Sequence, residues 1–177
     1  MKQLHLRTAA VAFIALACLS TPVAYSQAAA ASPYAGSIAQ AKNQMEQAKI
    51  QIEQLKLMQA EDRINRHEAA AKGRDAEIKR YQDQVTVKQQ EMSMYQQMDT
   101  IAKQPLSPDP NVAQAQSQMR QWMIEKAQLQ FRQSVASQAG QGPQAAQIGQ
   151  QMETLQLKIN AKQQEIRLLE MKAKAGQ

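Results

Sequence analysis

The chain has 177 residues, a formal net charge of +6, and 44% hydrophobic but only 4% aromatic side chains. That length sets one domain as the expectation, and the scarcity of large rings excludes a thick globular core in favour of thin helix-on-helix seams. The positive charge does not point to nucleic acid. Acids and bases alternate at helical spacing, as in Glu46 and Lys49, Asp62 and Arg66, Glu68 and Lys72, Asp75 and Lys79. Such pairs stabilise a solvated helix face by about 0.2–0.5 kcal/mol each, and no aromatics interleave with a basic run.

Residues 1–28 read as a secretory signal peptide. Lys2, His5 and Arg7 form a basic leader, Ala9 to Leu19 is an apolar stretch too short to span a bilayer, and Pro22 breaks it. The small residues Ala24, Ser26 and Ala28 then mark the cleavage region, with Ser26 and Ala28 as the cut positions. Export places the mature protein in the periplasm or on an extracellular structure, with no membrane span left after signal removal. Ala15-Leu16-Ala17-Cys18 loosely resembles a bacterial lipoprotein box. Two readings of Cys18 stand: discarded with the signal, or lipidated as an anchor. In the first case the mature chain has no cysteine and no thiol chemistry.

Residues 29–37 form a small-residue linker with Pro33 and Tyr34, and Ser37 is a candidate cap. Residues 38–103 follow as one long helical run without proline and with a single glycine, Gly73. Ile38, Ala41, Met45, Ala48, Ile52 and Leu55 repeat at 3-4 spacing. A second series returns every seventh position: Ile50, Leu57, Ile64, Ala71, Ile78, Val85, Met92. A stripe that gives way to a rotated seam suggests two different neighbours along one rod. Gly73 is the one candidate bend, with Asp75 as a new cap.

The Pro-rich loop 104–111 ends this helix, and Asn111 is placed to cap the next. Helix 112–138 carries Val112, Ala115, Met119, Trp122, Met123, Ala127, Leu129, Phe131 and Val135, a face broader than one partner helix requires. A Gly/Pro turn spans 139–144. The last helix, 145–175, has the cleanest heptads: Ile148, Met152, Leu155, Ile159, Lys162, Ile166, Leu169, Ala173. The expected fold is therefore all-α, an elongated bundle of three long helices over 38–175, the first either straight or folded back at Gly73.

No nucleophile elbow, phosphate loop, paired-cysteine motif or HExxH occurs, and the mature chain has a lone histidine, His67, without a second ligand at metal spacing. The expectation is a protein that is not an enzyme and has no cofactor and no metal. The candidate partner-binding residues are Trp122, Met123 and Phe131, large anchors on the broad face, and Met94, Tyr95 and Met98, which circle the helix before the prolines.

Both ends of the chain resemble a family. Gly36-Ser37-Ile38-Ala39-Gln40 and Ile52-Glu53-Gln54-Leu55-Lys56 are similar to the mature N-terminus of the minor pilins of type IV secretion and conjugation systems. The terminal run Ile159-Asn160-Ala161-Lys162 through Glu165-Ile166-Arg167-Leu168-Leu169-Glu170-Met171 resembles their last helix. The resemblance implies an exported pilus component of a Gram-negative bacterium. Its partners would be the pilin, channel components and the recipient cell surface, with self-association left open. It also implies that Ile38–Gln59 packs against Ile148–Ala173. The alternatives are a periplasmic coiled-coil chaperone of the Skp type, or a lipid-anchored envelope spacer that depends on Cys18.

Overall fold

The computed structural model describes residues 32–175, so the signal segment, its cleavage region at Ser26 and Ala28, and Cys18 lie outside the described residues. Every regular element described is an α-helix: α1 (Ala35–Ile64), α2 (Glu68–Ala102), α3 (Pro110–Gln138) and α4 (Gly142–Ala175). Contacts run α1 to α2, α2 to α3 and α3 to α4, each pair antiparallel. Four helices replace the expected three, because the long first run is divided.

The division falls at Asn65–His67, six to eight residues ahead of the expected Gly73. The His67 N–H donates to the Asp62 carbonyl at 2.7 Å and the Arg66 N–H to the Arg63 carbonyl at 3.2 Å, while Arg66 sits at φ 58°. This is a Schellman end, with the left-handed position that glycine usually takes filled by arginine. Gly73 lies inside α2 with open space where a side chain would be, and the helix runs through it without interruption. His67 is the residue that precedes α2, so Asp75 has no capping role there.

The other three helix starts also depart from expectation, and Ser37 lies within the first turn of α1 instead of capping it. α1 begins at Ala35, within the expected linker, because the turn over Ser32–Tyr34 already supplies helical bonds: Ile38 N–H donates to the Tyr34 carbonyl at 2.9 Å. α3 is capped not by Asn111 but by Asp109, whose Oδ1 accepts from the N–H groups of Asn111 (2.9 Å) and Val112 (3.0 Å). Pro110 occupies the first helical position, where its missing N–H costs nothing. α4 begins at Gly142, inside the expected 139–144 turn, and the turn into it repeats the Schellman pattern. Gly140 takes φ 72°, Gln141 N–H donates to the Ala136 carbonyl at 2.9 Å, and Gly140 N–H to the Ser137 carbonyl at 3.1 Å.

Packing then follows the stripes. Ala41, Met45, Ala48, Ile52, Leu55 and Gln59 are the buried face of α1, an unrotated line that meets Ala71 and Ile78 of α2. The expected single heptad seam is not one surface. Ala71 and Ile78 are buried, Val85 and Met92 half-buried, and Ile50, Leu57 and Ile64 lie in solvent. The three non-helical residues at 65–67 break the register, so a constant spacing in sequence joins two unrelated faces. On α4 the heptads are as read: Ile148, Leu155, Ile159 and Ile166 are buried against Leu129, Ala136, Val112 and Ala115 of α3. The expected pairing of the first helix with the last is overturned. No α-carbon of α1 comes within 8 Å of one in α4.

Candidate functional site

The breadth of the α3 face has an internal cause. α4 covers one side, where Trp122 and Met123 pack on the Leu129–Ile159 cluster. α2 covers another, with Ile101 near Met123 and Ala127, and Gln90 Oε1 accepting from the Ser134 hydroxyl at 2.9 Å. Trp122 is half-buried, and Lys162 Nζ stands 5.7 Å from its ring centroid as a cation–π partner. The surplus that made Trp122, Met123 and Phe131 candidates for partner binding is thus largely taken up by two helices of the same chain. Phe131 remains half-exposed at the edge of an open groove shared with Val135, Gln144 and Gln151.

The second trio divides. Met98 is 2% exposed and belongs to the core. Met94 and Tyr95 are half-buried, and the Tyr95 ring stacks on Tyr34 at 6.2 Å between centroids, closing the open end of the α1–α2 hairpin. Beside that stack Asp99 accepts from the Ser32 hydroxyl and pairs with Lys103 Nζ at 2.6 Å. The hydrogen bonds from Lys103 and Ser32 hold the Asp99 carboxyl below its ordinary pKa. At the other end of the hairpin Arg74 Nε donates to Asp62 Oδ2 at 2.5 Å, and this bond raises the guanidinium pKa further. Both shifts favour the charged form and serve structural ion pairs. Among the described residues no cluster of His, Cys, Asp and Glu has metal-holding geometry, and His67 is exposed.

The surface that the structure leaves available lies elsewhere. At 100° per residue, Ile50, Leu57 and Ile64 sit about 140–180° around α1 from its buried stripe. Leu57 is 73% exposed and Ile64 81%. α4 also has an outward apolar line, interrupted by the exposed Gln164. Leu157, Leu168 and Met171 lie about 140–200° from the Ile148–Ile166 seam, and Leu157 is 70% exposed. Each of these two helices therefore carries one apolar face inward and a second outward. The signal was present in the sequence as the Ile50-Leu57-Ile64 repeat; periodicity identified the face but not which side of the helix the chain itself would cover. No described helix is long and apolar enough to cross a membrane. No family model, curated protein or solved structure matches this chain.

Proposed function

We propose that this protein is an exported, non-enzymatic minor component of a type IV secretion or conjugation pilus, acting by protein–protein binding through helical faces. The observation that carries the binding activity is the pair of outward apolar stripes on α1 and α4. Large apolar side chains facing solvent have no folding role once the opposite face of the same helix is buried, and such patches serve as contact sites. The assignment to a pilus is supported by the signal-like leader and by the resemblance of both chain ends to minor pilins. The internal pairing of first and last helices that the resemblance implies is absent, so the support comes from sequence alone. The chaperone alternative requires strands for its trimerising body, and none occurs among the described residues.

Shearing filaments from the cell surface and probing that fraction for the protein tests the assignment, together with gene deletion and a transfer assay. Presence in filaments and loss of transfer are expected. Absence from filaments with transfer undiminished rejects the pilus reading. Mass spectrometry of the exported protein is expected to give a first residue within 27–29. Labelled palmitate incorporated through Cys18 would replace this with the lipid-anchored spacer.

A further inference from the structure

We infer that the outward face of α1 is the docking site for the outward face of α4 in a second copy of this chain, a head-to-tail contact that each molecule can make twice. The inference rests on the reading of this protein as one that binds through helical faces, and not on its place in a pilus. Three observations select a second copy as the occupant.

The two stripes match in length. Ile50 to Ile64 and Leu157 to Met171 each span two heptads, about 21 Å of helix. They also match in charge. Laid antiparallel with Ile50 against Met171 and Ile64 against Leu157, the helices bring Ala60 against Ala161, and they set Leu57 opposite Gln164 and Leu168 opposite Glu53. Glu46 and Glu53 share the heptad position of Ala60 at the edge of the seam, one residue out of register with Lys174 and Arg167. Glu46 and Glu53 now reach only exposed lysines on their own helix, at 3.0 and 2.8 Å, and Arg167 and Lys174 are exposed. Acid on one flank and base on the other is the arrangement that fixes partner and orientation in paired helices. Finally, the two faces cannot satisfy each other within one molecule, since α1 and α4 are separated by two intervening helices in the order of contacts. A contact between different patches is heterologous, and it continues as a ring or an open filament instead of stopping at a dimer.

The test uses the purified full chain in analytical ultracentrifugation, with Leu57→Glu blocking the α1 face and Leu157→Glu blocking the α4 face. Both positions are exposed, so helicity and melting temperature are expected to be unchanged, and circular dichroism on the same samples verifies that. The native chain should show mass rising with concentration. Each variant alone should be monomeric, and an equimolar mixture of the two should form dimers only, joined by the one intact pair of faces. Glu53→Arg should weaken assembly by more than about tenfold, and adding Arg167→Glu in the same chain should restore it. A native chain that stays monomeric, or Leu157→Glu chains that still dimerise through α1 alone, overturns the inference. So does a monomer that floats with anionic vesicles, which would assign the faces to a lipid surface. A monomeric chain recovered in sheared filaments would remove this contact and leave the pilus reading. Assembly as described, with no protein in filaments, would do the reverse.

Discussion

The side-chain amide nitrogen of Gln59 donates to the backbone carbonyl of Ala71 at 3.1 Å, bridging the two arms of the α1–α2 hairpin near its turn. The same nitrogen donates to Asp75 Oδ1 at 2.5 Å. Gln59 is 9% exposed and is the one polar residue in the buried stripe, so its two donors are matched by two acceptors from the opposite helix.

Removing that amide is expected to be costly out of proportion to its size. Gln59→Ala leaves the pair of acceptors without their donor and should destabilise the protein by about 1–3 kcal/mol in urea denaturation. Asp75→Ala keeps the bond to Ala71 and should cost less, under about 1 kcal/mol. Equal losses would mean that the carboxylate, and not the backbone bridge, holds the turn.

The position of the reversal is tested by two glycine exchanges of opposite sense. Arg66 occupies the left-handed region, where a side chain costs roughly 1–2 kcal/mol, so Arg66→Gly should raise stability by about 1 kcal/mol. Gly73 has open space around it and helical neighbours, so Gly73→Ala should also stabilise, by about 1 kcal/mol. A destabilising Gly73→Ala in thermal melting would return the bend to that position.

The two faces of α4 should respond differently to the same change. Ile159→Asp or Ile166→Asp places a charge in the seam with α3 and should lower stability by several kcal/mol. Leu157→Asp, on the outward face, should leave the melting temperature of the monomer within a degree or two of the parent, a surface change of the ±0.5 kcal/mol class.

Acid should loosen the open end of the hairpin first. The Asp99 carboxyl is held below its usual pKa by Lys103 and Ser32, so its contribution is fully present above the unfolded-state value of about 3.9 and is lost as pH falls through the lowered folded value. Asp99→Asn should therefore be less stable than the parent at neutral pH, with the gap closing below about pH 4. Chemical denaturation at a series of pH values measures the gap directly; a gap that is constant with pH would remove the ion pair from the account.

How far the sequence was legible depends on what kind of signal each element left. The seam of α4 could be read residue by residue, because one uninterrupted period from Ile148 to Ile166 meets one partner. The breaks near Pro105–Pro110 and Gly140–Pro143 were legible because proline and glycine act on the backbone itself. The turn at Asn65–His67 was not. A Schellman end filled by arginine carries neither residue, and the tertiary bonds of Gln59 and Arg74 that hold it are contacts between positions twelve or more apart. The candidate binding residues suffered from the same limit. A wide apolar face at Trp122 and a narrow one at Ile50 differ in which helix of the chain happens to cover them, and spacing alone does not record that.

The closure of the α1–α2 hairpin by Tyr34 on Tyr95 and by Ser32 on Asp99 also has a mechanical meaning. The start of α1 and the end of α2 emerge side by side, so tension applied between residue 32 and residue 103 pulls the two helices apart from their ends, not along their lengths. Under such a load the contacts part in succession: the tyrosine stack and the aspartate bonds go first, and the Arg74–Asp62 pair by the turn last. The hairpin would then lengthen gradually at low force, as a yielding element in series with whatever holds the chain at either end.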